Sequence, residues 1–469
     1  MRNRGGESKR HGFFVPYEGN FWHMKKGMLI VCLLGMVSWV SAQRFLLPKG
    51  VEQEKIRFEL VNNLIIIPMD VNGSELSFIL DSGVSSPILF NLTDEDSIQI
   101  NDVSTISLKG LGDGPPIEAL KSENNQFAIG KARSMNQNMF VVLDRELNLS
   151  ASLGRPVHGI IGWEVFRSFT VEVNYSKKYI RFHKQGTLKT DKLRKMQEIP
   201  LILQKKKAFV EGVVTLEDNT EREVKLLVDT GSSDAIWLFR DLEQGLDVPE
   251  KSFEEFLGKG LSGEIHGLRT KIKAFRIGNY QLIETKAAFP FRDSFANIIN
   301  LEDRNGSVGG EVLKRFNLVV DYKNSRLYLK KNGYYKDPFQ YNLAGIDIQH
   351  NGVRLIRERI ADVHGRVKTD DRTAIGSVKI LLEPRTRISL VPEIVVSGIR
   401  AGSPADEAGL QQGDIILAVN GRKVHEYKLQ EIIQMLNERE GKRVKVRIER
   451  YNRELSFSFL LKDVFKEKP

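Results

Sequence analysis

Hydrophobic and polar positions alternate in short runs over residues 56–331, and Gly-rich or polar turns separate these runs. A period of two residues is typical of β-strands that bury one face. Helical windows are few and short, and the pattern places them near 162–168, 250–257 and 309–315. The sequence therefore predicts a mainly β structure.

The same pattern occurs twice along the chain. Residues 62–90 and 206–239 each contain two apolar strands joined by a polar hairpin, and each includes a turn of Asp, a hydroxyl residue and Gly. These turns are Asp81-Ser82-Gly83 and Asp229-Thr230-Gly231. Average residue frequencies give about 0.2 chance occurrences of such a tripeptide in a chain of this length. Two copies after similar strands therefore indicate an internal duplication.

A second pair of matching blocks supports the duplication. Residues 159–182 align without gaps to residues 306–329. The blocks begin 78 and 77 residues after the Asp of their respective turns. We therefore predict two similar β lobes, with lobe 1 at 43–190 and lobe 2 at 191–335.

The sequence changes character near residue 340, and we predict a third domain at 336–469. Residues 394–450 contain Gly-Ser-Pro-Ala, Ala-Gly-Leu, Gly-Asp-Ile-Ile and Val-Asn-Gly in that order, with helical spacing at 428–437. Residues 351–390 are rich in Arg, Lys and Asp and form an unusual insertion. The insertion is either a mobile loop or a partner surface.

The N-terminal 42 residues predict export. Two lysines precede an apolar run at 27–40, and small residues follow it, which is the layout of a signal peptide at 24–42. Residues 1–23 are then an upstream extension. A permanent membrane anchor is the alternative, but a spanning helix needs roughly 20 apolar residues. We expect a periplasmic or extracellular protein without a stable membrane span, and leave membrane association open.

Cysteine and charge exclude several classes of function. The only cysteine, Cys32, lies inside the signal peptide, where lipid modification is conceivable, so the mature chain has no disulfide and no Cys-based site. Residues 1–42 hold six Lys/Arg and two Asp/Glu, so the remainder carries 64 basic and 58 acidic residues. This modest, dispersed excess indicates a solvated surface and no nucleic-acid partner.

The two Asp turns carry the candidate chemistry. Two carboxylates held close together in a partly desolvated cleft share one proton, because both cannot ionise cheaply. One of them can then act as general base on a water while the protonated partner polarises a carbonyl group. Gly83 and Gly231 allow close backbone approach, and the hydroxyls of Ser82, Thr230 and Ser232, with Ser85 as a further candidate, are expected to donate hydrogen bonds to the carboxylates.

The duplicated turns and blocks resemble those of the pepsin-like and retropepsin-like aspartic proteases, bacterial members of which can carry a PDZ domain. The resemblance implies that Asp81 and Asp229 meet between the lobes as the catalytic pair. It also implies that a hydrophobic-hydrophobic-Gly element supports each turn, here Ile160-Ile161-Gly162 and Ser307-Val308-Gly309. Ser82 replaces the commoner Thr, and Ser307 replaces an apolar residue. Because both turns lie in one chain, catalysis is expected from a monomer without a cofactor or metal.

Two Gly-rich stretches are candidates for the flaps that such enzymes close over substrate. They are residues 109–116 and 258–267, about 30 residues beyond each Asp. The candidate flap residues are Gly112, Asp113, Gly114, Leu261, Ser262 and Gly263. The alternative is a pair of ordinary hairpin turns, and neither stretch has the Tyr of pepsin-like flaps. His158 and His266, near the ends of these elements, are expected at the surface.

The third domain resembles a PDZ domain of the bacterial, protease-associated type. Such a domain binds an extended peptide as an added strand and captures its terminal carboxylate with backbone amides. The resemblance places the amide loop at Leu343-Ala344-Gly345-Ile346. The peptide-binding candidates are Gly345, Ile346, Ile348, Leu429 and Ile433.

The leading interpretation is an exported aspartic endopeptidase with a peptide-binding PDZ domain. One alternative is a non-catalytic peptide-binding scaffold derived from such an enzyme. In another alternative, the lobes pair with other chains and the two Asp residues never meet. The sequence lacks a phosphate-binding loop, a Gly-x-Ser-x-Gly turn and any metal-ligand spacing among its eight histidines.

Overall fold

The computed structural model describes residues 43–92, 98–144, 147–295, 303–360, 366–368, 379–381 and 385–466. The predicted N-terminal extension and signal peptide, with Cys32, lie outside these residues. Parts of the predicted insertion, at 361–365, 369–378 and 382–384, also lie outside them. No helix within the described stretches is long and apolar enough to span a membrane.

Lobe 1 is formed mainly by strands. Its elements in chain order are β1 (Gln53–Arg57), β2 (Glu59–Val61), β3 (Leu64–Val71), β4 (Ser74–Leu80), β5 (Ile88–Leu89), β6 (Val103–Leu108), β7 (Ile117–Ile129), β8 (Ala132–Val141), α1 (Leu149–Leu153), β9 (Gly159–Ile161), α2 (Trp163–Phe166), β10 (Phe169–Asn174) and β11 (Tyr179–Lys184). An eight-stranded sheet runs in the order β2-β3-β4-β9-β5-β8-β7-β6. Because β3 also pairs with β7, this sheet closes on itself around an apolar core.

Lobe 2 follows after α3 (Thr190–Leu193). Its elements are β12 (Gln197–Pro200), β13 (Ile202–Gln204), β14 (Lys207–Thr215), β15 (Glu221–Val228), β16 (Ile236–Leu238), β17 (Phe253–Gly260), β18 (Gly263–Ile277), β19 (Tyr280–Pro290), β20 (Gly306–Val308), α4 (Gly310–Leu313), β21 (Phe316–Asp321) and β22 (Arg326–Lys331). Its eight-stranded sheet has the order β13-β14-β15-β20-β16-β19-β18-β17, with a further β14–β18 pairing. Strand for strand, this is the order found in lobe 1.

A third sheet joins the two lobes. Its six strands run in the order β1-β11-β10-β21-β22-β12, so each lobe contributes three strands. The lobes meet where β10 pairs antiparallel with β21, with Glu172 opposite Val319 at the centre. This continuous sheet fixes the two Asp-bearing sheets relative to each other.

One of the predicted helices is wrong. The windows at 162–168 and 309–315 are confirmed by α2 and α4. The window at 250–257 instead lies largely in strand β17, which pairs with β18 and contains a bulge between Phe256 and Gly258. The apolar spacing of Phe253, Phe256 and Leu257 imitates a helical face, but the long neighbouring strand decides the local structure.

The C-terminal domain forms a separate sheet with its own core. Its elements are β23 (Ile346–Ile360), β24 (Arg366–Lys368), β25 (Lys379–Leu381), β26 (Arg385–Ile399), α5 (Pro404–Glu407), β27 (Ile415–Val419), β28 (Arg422–Lys423), α6 (Leu429–Leu436), β29 (Arg443–Arg450) and β30 (Arg453–Leu460). The sheet order is β23-β26-β27-β29-β30, so β23 lies at an edge. The predicted helix at 428–437 is confirmed by α6.

The insertion continues the ladder of β23 and β26 as a two-stranded arm. The register pairs Leu355 with Leu390 and extends as far as Ile360 and Arg385. Val353, Leu355, Ile388 and Leu390 are each at least 60% exposed on this arm. The described part of the insertion is therefore regular β structure, and whether it binds a partner stays a prediction.

Candidate active site

Each candidate Asp stands where a buried strand ends. Asp81 follows β4 and Asp229 follows β15. The last residues of these strands pair in parallel with β9 and β20. The Asp81 amide donates to the Ile161 carbonyl at 2.8 Å, and the Asp229 amide donates to Val308 at 3.0 Å. The hydrophobic-hydrophobic-Gly elements therefore hold both turns by backbone hydrogen bonds.

Close packing explains the glycine in each supporting element. A Cβ atom on Gly162 would lie 1.7 Å from the Asp81 carbonyl oxygen, and one on Gly309 would lie 2.3 Å from the Asp234 carbonyl oxygen. Both are well inside van der Waals contact, so a side chain would displace the turn. Ser307 is buried in β20 opposite Leu227 and Trp237, and its replacement of an apolar residue leaves the ladder intact.

The hydroxyls of Ser82 and Thr230 tie the two turns to each other. The Ser82 amide donates to Thr230 Oγ1 at 2.9 Å, and the Thr230 amide donates to Ser82 Oγ at 3.1 Å. Ser82 Oγ in turn donates to the Val228 carbonyl at 2.6 Å, and Thr230 Oγ1 donates to Leu80 at 2.7 Å. The expectation that these hydroxyls bind the carboxylates is therefore wrong, because each one crosses to the backbone of the other lobe.

Backbone amides bind the carboxylates instead. The Gly83 amide donates to Asp81 Oδ1 at 2.7 Å, and the Gly231 amide donates to Asp229 Oδ1 at 3.0 Å. The amides of the next residues, Val84 and Ser232, add a second backbone bond to each carboxylate. Ser232 therefore binds the Asp229 carboxylate through its backbone amide.

The two carboxylates lie side by side. They share a side-chain hydrogen bond. A Cβ atom on Gly231 would lie 2.3 Å from Asp81 Oδ2, and one on Gly83 would lie 3.2 Å from Asp229 Cγ. Each carboxylate therefore packs against the glycine of the opposite turn, and a side chain at Gly231 would collide with the Asp81 carboxylate.

Burial and mutual repulsion make the pair retain a proton. Burial, followed by the negative charge of Asp229, raises the pKa of Asp81 to about 8. Burial also raises the pKa of Asp229, but the positive charge of Arg304 opposes this effect. The pair therefore retains a proton near neutral pH, and the charge of Arg304 favours the ionised form of Asp229 over that of Asp81.

Arg304 is a charged neighbour of Asp229 that the sequence did not reveal. It lies two residues before β20, and its guanidinium also stacks over the Phe239 ring at 5.4 Å. Position 157 of lobe 1 corresponds to position 304 by the 147-residue offset of the aligned blocks, and it holds the buried Val157. Only this difference between the repeats could have drawn attention to Arg304.

The two predicted flap stretches meet each other. The Gly110 amide donates to Ser262 Oγ at 2.8 Å, the Gly114 amide to the Ser262 carbonyl at 2.6 Å, and the Ser262 amide to the Leu111 carbonyl at 2.9 Å. A Cβ atom on Gly112 would lie 2.5 Å from the Ser262 backbone. The structure thus brings Gly112 and Gly114 against Ser262 and Gly263, and Asp113 is exposed.

Each flap tip packs on the opposite lobe. Leu261, from lobe 2, joins a lobe 1 apolar cluster that contains Val84 and Ile160. Leu111, from lobe 1, packs with Leu257 and Trp237 of lobe 2. Since Val84 and Ile160 border the Asp81 turn, the crossed tips close the cleft beside the carboxylate pair.

The two histidines near these elements differ in their surroundings. His158 is half-buried, and its Nδ1 accepts a hydrogen bond from the Ser77 amide at 3.0 Å. In lobe 2 the Asn305 side chain accepts the corresponding bond from the Lys225 amide at 2.8 Å. His158 is therefore only partly exposed, and its ring links two strands by accepting a backbone hydrogen bond. His266 is more exposed and lies 3.1 Å from Glu264.

One group of metal-type ligands occurs away from the cleft. Glu358, His425 and Glu426 each offer a ligand atom, and these atoms lie within 4.8 Å of one another. Lys423 forms an ion pair with Glu358, which supplies a cation to this group without a metal. The sequence did not predict the group, since the fold brings its members together from two distant segments.

The candidate peptide groove of the C-terminal domain is largely filled. Gly345 is buried, and its amide donates to Asn342 Oδ1 at 2.9 Å. Ile346 and Ile348 are buried in the core of the domain. Leu429 is only 1% exposed, so the expectation that it faces an open groove is wrong, whereas Ile433 is partly exposed.

Comparison with known families agrees with this architecture. Residues 67–165 match the family model described as aspartyl protease, and residues 395–450 match the model described as PDZ domain. The first match covers the Asp81 turn and its supporting element, and the second covers the end of β26 together with β27, β28, α6 and β29. The suspected combination of an aspartyl protease domain with a C-terminal PDZ domain is confirmed.

Proposed function

Because the chain carries an aspartyl protease domain and a PDZ domain, we propose that it is an exported, single-chain aspartic endopeptidase. The carboxylate pair of Asp81 and Asp229 carries the reaction. The observation that supports this most strongly is the reciprocal hydrogen bonding of Ser82 and Thr230. Those bonds fix two ionisable groups side by side at a lobe interface, where burial alone would otherwise disfavour them.

Asp229 acts as the general base in this proposal. It takes a proton from a water bound between the carboxylates while the water oxygen attacks the peptide carbonyl carbon. Protonated Asp81 donates its proton to the carbonyl oxygen, which gives a neutral tetrahedral diol. Asp229 then passes its proton to the leaving nitrogen, the C–N bond breaks, and one hydroxyl returns its proton to Asp81. Both carboxyls regain their initial protonation states.

The flaps determine how substrate reaches the pair. The tip residues Leu111 and Leu261 cross between the lobes, and each packs in an apolar cluster of the opposite lobe. An extended peptide must separate these tips, and it then regains backbone hydrogen bonds by pairing with the flap strands. Both half-sites and the joining sheet lie in one chain, which supports catalysis by a monomer.

The test is peptide-library cleavage by the mature chain at several pH values. Wild type is compared with Asp229→Asn and with Asp247→Asn, a control at an exposed lobe 2 carboxylate. The proposal predicts cleavage by wild type and the control, inhibition by statine-type peptides, and no cleavage by Asp229→Asn. We also expect the optimum on the acidic side. Cleavage that persists in Asp229→Asn would exclude the dyad as the agent.

Export is the second part of the proposal. The apolar run at 27–40, preceded by two lysines, supports removal of residues 1–42 and a periplasmic or extracellular location. N-terminal sequencing of the protein recovered after cell fractionation tests this. A mature N-terminus near Gln43 in the exported fraction is expected, and an intact leader in the cytoplasmic fraction would contradict it.

A further inference from the structure

The C-terminal domain packs against lobe 1 through a small helix. α1 packs against strand β23. Gly154, the residue that caps α1, lies against the first residue of α6, and a Cβ atom on Gly154 would be 2.6 Å from Leu429 Cβ. Only glycine fits this contact, since Gly154 also has a positive φ of 67°.

This contact involves the two elements between which a bound peptide is expected. A PDZ ligand adds as a strand along a free sheet edge and beside the neighbouring helix. β23 is the edge strand of the sheet, and α6 packs beside it. α1 and Gly154 therefore contact the two elements that form the walls of the expected groove, β23 and the start of α6.

The backbone amide expected to bind a peptide carboxylate is already hydrogen-bonded within the C-terminal domain. The Gly345 amide, which belongs to the expected carboxylate-binding loop, donates to Asn342 Oδ1 at 2.9 Å. Asn342 Nδ2 donates to the Ile346 carbonyl at 2.7 Å. A peptide carboxylate would have to displace the Asn342 side chain to bind the Gly345 amide.

α1 is connected to the catalytic machinery as well. Its residues Leu149 and Leu153 belong to the apolar cluster that holds Leu108, at the base of the first flap, and Leu261, at the tip of the second. From Gly154 the chain continues directly into β9, whose Ile161 holds the Asp81 amide. The helix that contacts both groove walls therefore also packs in one apolar cluster with residues of both flap stretches.

Two unpaired donors lie next to the contacting residues in the chain. Arg155 Nε and Gln430 Nε2 follow the two contacting residues in the chain, and both are buried without a hydrogen-bond partner among the described residues. A buried, unpaired donor costs about 1–3 kcal/mol. The residues next to Gly154 and Leu429 in the chain therefore carry a local free-energy cost in the folded protein.

We propose that lobe 1 occupies the peptide groove in cis and thereby holds the flaps closed, so that release of the groove activates peptide cleavage. The predicted effect on cleavage rests on the proposed endopeptidase function. The contact between lobe 1 and the groove is independent of that function. A peptide with a free carboxyl terminus is the chemical class that would compete with α1 for β23 and with Asn342 for the Gly345 amide.

Gly154→Ala in the full mature chain tests this proposal, with Gly186→Ala as the matched control. Both glycines have a positive φ, at 67° and 83°, so both variants carry the same kind of backbone penalty. Gly186 has no atom within 4 Å of its Cβ position, whereas Gly154 faces Leu429. Hydrogen exchange over α1, the start of β23 and α6 is measured in an Asp229→Asn background, and cleavage is measured without that change.

We expect faster exchange in these three elements for Gly154→Ala than for Gly186→Ala. We also expect kcat/KM for library peptides to rise about fivefold or more, the low end of common coupling factors. Equal exchange in the two variants would overturn the groove contact. Faster hydrogen exchange without faster cleavage would overturn the claim that the groove contact holds the flaps closed.

A second variant, expected to strengthen the contact instead of weakening it, tests the proposal if Gly154→Ala does not fold. Gln430→Leu replaces a buried unpaired amide with an apolar side chain, so it should slow exchange in α6 and reduce cleavage. Faster exchange in Gln430→Leu would contradict the proposal. Absence of cleavage in every variant, wild type included, would refute the proposed endopeptidase function, and the exchange comparison would then decide the groove contact alone.

Discussion

The two lobes share one sheet order and one turn, yet they place the two carboxylates in different electrostatic surroundings. The backbone bonds to Asp81 and Asp229 are equivalent within 0.3 Å in the two repeats. Near Asp229 stands the cation Arg304, while the matching position of lobe 1 holds Val157. Duplication thus supplies the geometry, and a single unmatched residue makes the electrostatic surroundings of the two carboxylates unequal.

The largest expected effect comes from removing either carboxylate. Asp81→Asn and Asp229→Asn should each lower kcat by about 10³-fold or more, because general acid–base catalysis contributes up to about 10⁴-fold and each residue serves in both steps. Cleavage assays at matched folding, checked by circular dichroism, measure this. A variant that retains a tenth of wild-type kcat would show that the lobes are not catalytic partners.

The second largest effect is expected from the reciprocal hydrogen bonds between the Ser82 and Thr230 hydroxyls and the backbone of the opposite turn. Ser82→Ala leaves the Thr230 amide and the Val228 carbonyl unpaired in a buried site, so the free energy of unfolding should fall by roughly 2–4 kcal/mol. Thr230→Ala should cost a similar amount, since its bonds are the mirror image. Ser82→Thr keeps the hydroxyl and serves as the control.

Denaturant unfolding measures these three variants. If the reciprocal bonds stabilise the interface as described, Ser82→Thr stays near wild type while both alanine variants lose stability. A Ser82→Ala variant as stable as wild type would mean that the crossed bonds contribute nothing net.

Arg304→Gln tests the asymmetry of the pair directly. The Arg304 charge lowers the pKa of Asp229, so its removal should raise that pKa and move the acid limb of kcat/KM upward by up to about one pH unit. The alkaline limb should stay, since it reports loss of the Asp81 proton near pH 8. Arg276→Gln, at an exposed ion pair with Glu221, is the control.

The smallest effect concerns the joining sheet, where Glu172 of lobe 1 faces Val319 of lobe 2. Burial raises the pKa of Glu172, but its contacts with His183, Lys192 and Arg181 outweigh burial and lower it to about 2. The ionised form is therefore the stabilised one. That stability is fully present above the unfolded-state pKa of about 4.3 and is lost as pH falls through about 2.

Thermal unfolding between pH 5 and pH 2 measures this contribution. We expect the wild-type midpoint to fall more steeply on acidification than that of Glu172→Gln, with the exposed Glu198→Gln as control. If the midpoints of wild type and Glu172→Gln fall in parallel with pH, the ion pairs of Glu172 do not contribute to stability in acid.

Local motifs predicted the Asp turns, because the residues that form each turn and its supporting element are close to one another or recur in register. The hydroxyl bonds of Ser82 and Thr230 were not predictable, since their partners are backbone groups of the other lobe. Similarly, Leu429 has the spacing of a groove residue, but Gly154, more than 270 positions earlier, covers it. Features decided by distant packing are the ones that the sequence alone did not give.

The most direct test of the central claim is a carbon-13 NMR titration of the Asp81 and Asp229 carboxyls, assigned with the two Asn variants. The account predicts that one proton remains on the pair up to about pH 7, with Asp81 titrating above Asp229. Two independent titrations near the ordinary Asp pKa of about 3.9 would contradict it.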